Sequence, residues 1–119
     1  MDPLVGFYSA LTRAGLDGSA AWTPKERLGL DDTIRGYTQE GAWAFHAESD
    51  LGIIRVGAHA DVVCWSDDLY RHESDPAALL QQRAELTIVG GEIVHDAAID
   101  HPAPPIYALR ESCSTHTHA

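Results

Sequence analysis

Two adjacent glycines, Gly90 and Gly91, separate two short runs of residues that favour β-strands. The runs are Leu86–Val89 and Glu92–His95, and a Gly-Gly pair between two such runs is typical of a two-residue β-hairpin. The sequence therefore predicts two antiparallel neighbouring strands near residue 90. This hairpin limits the chain to folds that contain at least one antiparallel sheet.

Two further apolar runs precede the hairpin. Val62–Trp65 is continuous, too short for a helix and bounded by turn-forming residues, which predicts a buried strand. Ile53–Val56 lies between Gly52 and Gly57 and predicts another strand of the same sheet. Together with the hairpin, these runs should form a small, largely antiparallel sheet with the helices placed to one side.

Helical patterns occupy the first half of the chain and one later segment. Asp2–Gly15 begins with a capping Asp and a proline and ends at a glycine. Leu30–Phe45 has acidic residues in its first turn and two interior glycines, which lower its helix propensity by about 1 kcal/mol each. Pro76–Gln82 again places a proline after an acidic cap, and Thr23-Pro24 opens a short helical turn.

The composition limits the classes of partner. Eight Lys and Arg against 18 Asp and Glu give a net charge of −10, whereas nucleic acids and anionic membranes require basic patches on a protein. No stretch approaches the roughly 20 apolar residues of a membrane span, and the first residues lack the pattern of a signal peptide. Cys64 and Cys113 do not form a disulfide framework. We therefore expect a cytoplasmic protein that binds neither nucleic acid nor membrane.

The order of these motifs resembles the C-terminal end of the metal-dependent amidohydrolases. There, an Ala-Asp pair opens an apolar strand that is followed by a glycine hairpin, as at Ala60-Asp61 and Gly90-Gly91 here. Ala58 departs from the pattern because Lys is usual there, as does Gly29, where a helix-capping Thr is usual. Other motifs resemble the branch containing the N-substituted formamide deformylases: Asp2-Pro3, Ser9-Ala10-Leu11-Thr12-Arg13, Trp22-Thr23-Pro24 with Glu26, and Ile34-Arg35-Gly36-Tyr37-Thr38.

This resemblance implies an α/β fold that is the C-terminal fragment of an amidohydrolase. Residues 1–48 would be the last helices of a (β/α)8 barrel. Residues 49–97 would be the C-terminal half of a small β-sandwich, including the Gly-Gly hairpin. Residues 98–119 contain clustered prolines, show no periodicity and end in polar residues, which indicates a disordered tail.

For a complete relative, the resemblance implies a metal-dependent hydrolase acting on non-peptide carbon–nitrogen bonds of the N-acyl or N-formyl amine type. A divalent metal, with zinc expected, would activate water there, and an Asp would relay the proton. The family's metal ligands lie on earlier barrel strands, and its catalytic Asp lies just before the residue matching Asp2. We therefore expect no catalytic, cofactor-binding or metal-binding residue in this segment, and no cofactor bound by it.

On this interpretation, the chain is not catalytic by itself. Its partner would be the missing N-terminal barrel portion or a second copy of the chain. The alternative is a non-catalytic stand-alone module or the complementing half of a split hydrolase. A fragment of this kind should expose an unpaired strand edge and apolar helix faces, which promote association. The helix residues expected to be exposed are Leu4, Phe7, Tyr8, Ile34 and Trp43.

Asp61 is the carboxylate that most resembles a functional residue, because it directly precedes an apolar strand. As a functional group it would be a metal ligand or general base. As a structural group it would be buried at the start of the strand and accept backbone N–H groups from the turn at Gly57. The resemblance favours the structural role, because this Asp belongs to the β-sandwich and not to the barrel.

His116 and His118 form a His-x-His pair like the one with which the family binds its first metal. Here, however, the pair lies in the polar C-terminal segment, without a strand to fix it or a third ligand. We therefore predict that it binds no metal. The remaining histidines show no metal-ligand spacing, and no serine lies in a Gly-x-Ser-x-Gly motif. These histidines are His46, His59, His72, His95 and His101.

Overall fold

A computed structural model describes residues 2–100 of the chain. The fold combines helices with a three-stranded antiparallel sheet, as predicted. Of the expected disordered tail, residues 98–100 lie in a short helix, and residues 101–119 are outside the described residues. The helices are α1 (Pro3–Thr12), α2 (Leu30–Tyr37), α3 (Gln39–Ala44) and α4 (Ala97–Asp100); the strands are β1 (Val62–Trp65), β2 (Ala84–Val89) and β3 (Glu92–Asp96); and the 3-10 turns are Pro24–Glu26, Leu69–His72 and Pro76–Gln81.

Helix α1 begins where the sequence pattern predicts. The Asp2 carboxylate accepts the Leu4 N–H at 2.9 Å, so one N–H that the helix cannot satisfy internally has a partner. Pro3 fits the first turn because its missing N–H is not needed there. The helix ends earlier than predicted, since Arg13 adopts a left-handed φ of 59° and its N–H donates to the Ser9 carbonyl.

The predicted helix from Leu30 to Phe45 is broken at Thr38, so the prediction of one continuous helix is wrong. Thr38 has φ −121° and ψ −86°, and its hydroxyl donates to the Ile34 carbonyl at 2.8 Å. Such side-chain bonds to the preceding turn compete with the helical backbone. Gly52 packs directly against the break, where a Cβ on Gly52 would lie 2.6 Å from the Thr38 carbonyl oxygen.

The sheet has the order β1-β2-β3, with both pairs antiparallel. Val62 lies opposite Ile88 in the first pair, and Val89 lies opposite Glu92 at the hairpin. Gly90 and Gly91 both have positive φ, 59° and 86°, as a type I′ turn requires. The predicted hairpin is therefore confirmed, and so is a strand at residues 62–65. The expectation that this strand is buried is wrong, because its residues are half-buried and Val63 is 43% exposed.

The predicted strand Ile53–Val56 is wrong. Residues 51–60 contain no strand, and Ile54 and Val56 are exposed at 89% and 102% of their side-chain reference area. The segment is instead closed as a loop, in which the His59 N–H donates to the Asp50 carbonyl at 2.9 Å. An apolar run forms a strand only when a neighbouring strand satisfies its backbone, and within residues 2–100 this run pairs with neither edge strand of the sheet, β1 or β3.

The core forms between the helices and the chain after β1. Leu69 and Leu79 come from two 3-10 turns, of which Leu69–His72 was not predicted. The expectation that Leu4 and Phe7 are exposed is wrong, because both are at least 95% buried against this cluster. Tyr8 and Ile34 are half-buried, whereas Trp43 is exposed as expected. The core cluster contains Leu4, Phe7, Leu11, Leu30, Leu69 and Leu79.

Candidate functional site

A groove of about 450 Å³ lies between the first turn of α1 and one face of the sheet. Val63 and Trp65 contribute alternate positions of β1, and Thr87 lies opposite Val63 on β2, so these side chains share that face. Such a volume is within the range of small-molecule sites. The groove is lined by Asp2, Pro3, Leu4, Val63, Trp65, Gln82, Arg83, Ala84 and Thr87.

The polar groups around this groove are engaged in holding the fold. The Asp2 carboxylate caps α1. The Gln82 side chain accepts the Ser66 hydroxyl at 2.8 Å and donates to the Ala78 carbonyl at 3.2 Å. Arg83 is paired with Glu85 at 3.2 Å. The groove therefore brings together no nucleophile and base of the kind that acyl transfer requires.

A second polar cluster surrounds Asp67. Its carboxylate lies 3.1 Å from His72 Nε2 and 3.5 Å from an Arg71 guanidinium nitrogen, and it accepts the Asp68 N–H at 2.8 Å. The Asp68 N–H, with smaller contributions from His72 and Arg71, holds the pKa of Asp67 below its ordinary value. A histidine and a carboxylate in contact can move protons, but their contacts here bind the two ends of one turn to each other.

Two long-range contacts attach this turn to α2. The Tyr70 hydroxyl donates to Asp31 at 2.7 Å, which together with burial raises the pKa of Tyr70 to about 12. The Glu73 carboxylate accepts the Leu30 N–H at 3.4 Å, at the start of α2. Both contacts hold Leu69 in the core. This cluster was not predicted from the sequence. Asp68 before Leu69-Tyr70 is nevertheless a capping pattern, and the Asp68 carboxylate accepts the Tyr70 N–H.

Asp61 has the kind of role predicted, but with another partner. Its carboxylate accepts the Gly90 N–H at 2.7 Å, and the neighbouring Ala60 carbonyl accepts the Gly91 N–H at 3.1 Å. The expected bonds to the turn at Gly57 and the expected burial are both wrong, because Asp61 is exposed and faces the hairpin. The Ala-Asp pair therefore fastens the glycine turn to the start of β1.

The described histidines are dispersed. His46 and His59 are exposed, and His95 Nε2 lies 3.1 Å from the Ala84 carbonyl oxygen. Residues 2–100 contain no group of three His, Cys, Asp or Glu side chains that could hold a metal ion, so the side chains described here do not fit a divalent metal site. His101, Cys113, His116 and His118 lie outside the described residues.

Comparison with known proteins gives the family. A family model described as the amidohydrolase family matches residues 1–95. The chain belongs to the amidohydrolase family. Membership of this family places the chain among hydrolases, and the matched region contains the Asp2 cap, the Ala60-Asp61 pair and the Gly90-Gly91 hairpin. Comparison with curated proteins and with solved structures gave no match.

Helix α1 and the strands β1 and β2 lie within residues 1–95, which the amidohydrolase family model matches. Helix α1 packs its apolar face on the turn Pro76–Gln81, and β1 and β2 form the floor of the groove. None of the helices formed by residues 2–100 has both the length and the apolar composition needed to cross a membrane.

Proposed function

We propose that this chain is the C-terminal part of a metal-dependent hydrolase acting on non-peptide carbon–nitrogen bonds, of the N-acyl or N-formyl amine type, and that it is not catalytic alone. The match to the amidohydrolase family over residues 1–95 carries the proposal. The formamide deformylase branch is part of the proposal and is supported by the motifs Asp2-Pro3, Trp22-Thr23-Pro24 and Tyr37-Thr38. We place the enzyme in the cytoplasm.

The contacts of the acidic side chains support a scaffolding role for the segment. Asp2 caps α1, Asp61 holds the hairpin, Asp31 accepts the Tyr70 hydroxyl and Asp67 holds its own turn. Each of these carboxylates thus stabilises the fold, two of them within one turn and two between segments that are distant in sequence. In this proposal the divalent metal, with zinc expected, and the catalytic Asp belong to the barrel portion of the complete enzyme.

The exposed apolar side chains support a partner surface. Trp22, Trp43, Phe45 and Ile54 are exposed by 74%, 65%, 85% and 89%. Large apolar groups that are left in water are available for contact with a partner. We propose that the partner is the N-terminal barrel portion, with residues 1–48 as barrel helices and residues 49–97 as sandwich. Self-association is the alternative partner.

The test begins with the purified chain of 119 residues, supplied with zinc, and a panel of N-formyl and N-acyl amines. We expect no hydrolysis above the blank. The reading frame upstream of the Met1 codon should then be examined, and any in-frame barrel with a His-x-His motif should be expressed fused to this chain. Hydrolysis by the fused protein would support the proposal, whereas turnover by the chain alone would refute it.

The stand-alone or split-enzyme alternative is separated by expressing the two parts as different polypeptides. Activity that appears only when both polypeptides are present would identify this chain as the complementing half of a split hydrolase. A barrel portion that is fully active without this chain would contradict the proposed contribution. Analytical ultracentrifugation of the chain alone at two concentrations would distinguish self-association from a monomer that awaits a partner.

A further inference from the structure

Residues 38–60, which we name the 38–60 unit, are folded around their own hydrogen bonds. Helix α3 opens the unit, and the loop that follows folds back on it. The His59 N–H closes the far end on Asp50, so the chain leaves the unit close to residues within it. The backbone bonds are Ala42 N–H to Thr38, Ala47 N–H to Ala42, Leu51 N–H to Ala47, and His59 N–H to Asp50, at 2.9 to 3.0 Å.

The 38–60 unit contributes little to the core that the rest of the chain builds. None of its side chains belongs to the core cluster formed within residues 2–100. Ala42 is the one residue of the unit that is buried, at 7% exposure. Phe45, Ile54 and Val56 are exposed by 85% or more. Opening the unit would therefore leave the core contacts intact.

Its boundaries are also distinct. The entry is the helix break at Thr38, where the backbone leaves the helical region. Gly52, in the loop, lies against the Thr38 carbonyl and closes the unit on itself. The exit is the Ala60-Asp61 pair, which is fixed to the hairpin by Gly90 and Gly91. The chain on each side is thus anchored by contacts outside the unit, and the ion pair that crosses the entry, Arg35 with Glu40 at 3.8 Å, is exposed.

We propose that the 38–60 unit opens and closes cooperatively, as a whole, without opening the core. The free energy of this local opening should be lower than that of global unfolding, because opening exposes one small buried side chain, Ala42, and none of the core cluster. In the closed unit Gly52 lies so close to the Thr38 carbonyl that only a residue without a Cβ fits there. The consequence of opening is that Trp43 and Phe45 can be rearranged by a binding partner while α1 and the sheet stay folded. This inference does not rest on the proposed function.

The test is hydrogen–deuterium exchange of the complete chain, resolved by residue. We expect the amides of Ala42, Ala47, Leu51 and His59 to exchange through a common opening, faster than the amides of α1. Gly52→Ala should accelerate exchange in the unit by roughly tenfold or more, because its Cβ meets backbone atoms. Exchange in α1 should not change. Equal rates in the unit and in α1 would overturn the proposal.

Gly57→Ala is the matched control. Both glycines have left-handed φ, 78° at Gly52 and 93° at Gly57, but a Cβ on Gly57 meets nothing within 4 Å. The control should accelerate exchange less than Gly52→Ala, and an equal effect would refute the role of the Gly52 contact. If Gly52→Ala does not fold, the proposal can be tested on the unaltered chain alone. The free energy of a local opening depends less on urea concentration than the free energy of global unfolding does. If exchange in the 38–60 unit and exchange in α1 depend equally on urea, the proposal of a separate cooperative opening is overturned.

Discussion

Replacing Leu79 with alanine tests whether this segment has a core of its own. Leu79 is completely buried in the core cluster and is brought there by the turn Pro76–Gln81, which packs along α1. The adjacent Leu80, in the same turn, is 37% exposed. The two positions share chemistry and local structure and differ in burial. Leu80→Ala is therefore the matched control.

The size of the effect follows from the burial. Removing three methyl or methylene groups from a fully enclosed leucine costs the transfer free energy and leaves a cavity, about 2–5 kcal/mol in total. Leu80 retains contact with water, so Leu80→Ala should cost about 0.5–1.5 kcal/mol. For a domain of this size, the Leu79 change should lower the Tm by roughly 10–30 °C. A loss of this size is a large part of the free energy of unfolding of a small domain, which is usually about 5–15 kcal/mol.

Urea denaturation followed by far-ultraviolet and near-ultraviolet circular dichroism measures both variants. We expect one cooperative transition for the unaltered chain, a small shift of its midpoint for Leu80→Ala and a large shift for Leu79→Ala. Equal losses in the two variants would refute the assignment of Leu79 to the core. An unaltered chain without any cooperative transition would show that the buried cluster is not sufficient to hold the segment together.

Three polar contacts give further testable outcomes. Asp61→Ala should lower the free energy of unfolding by about 0.5–1 kcal/mol, because the exposed Gly90 N–H loses its acceptor. The control Asp61→Asn retains an acceptor oxygen at the same position. Identical urea midpoints for the two variants would contradict this role of Asp61. The pKa of Asp67 is lowered from its ordinary 3.8 in the folded state, so its contribution is present above that value and is lost as the pH falls below it. Asp67→Asn should therefore flatten the acid limb of the stability curve, and an unchanged limb would be evidence against the contact. The pKa of Tyr70 is raised from 10.0 to about 12, so its contribution is complete below pH 10 and is lost as the pH rises toward 12. Ultraviolet titration should show Tyr70 ionising late, and Asp31→Ala, which removes both the charge and the acceptor, should move that step to lower pH; an unmoved step would disprove the assigned cause.

Features that depend on neighbouring residues along the chain could be predicted. Asp2 before Pro3 gave the start of α1, because a cap and a proline act within one turn of helix. Gly90-Gly91 indicated the hairpin, because two adjacent residues with positive φ admit few turns. The position of Asp61 at the start of a strand indicated that it accepts a backbone N–H, but its donor, Gly90, lies 29 residues away and the sequence does not reveal it.

Features that depend on residues distant in sequence could not be predicted. Ile53–Val56 has the composition of a strand, but in the described residues it pairs with none of the three strands, and Ile54 and Val56 stay exposed in a loop. The helix predicted from Leu30 to Phe45 breaks at Thr38, where Gly52 packs on the backbone. The contacts from Tyr70 to Asp31 and from Glu73 to Leu30 join segments that are about 40 residues apart, and no local sequence pattern indicates that they meet.

The sequence by itself determined the family of this protein, its antiparallel hairpin and its strong negative charge, because motif order, turn chemistry and composition are local properties. Only the tertiary structure decided which apolar side chains are core and which remain in water. Leu4 and Phe7 are enclosed because Leu69 and Leu79 return to them from more than 60 residues away, whereas Trp43 has no such neighbour and is exposed. Hydrophobic burial depends on which surfaces meet in space, and that is settled only when the whole chain has folded.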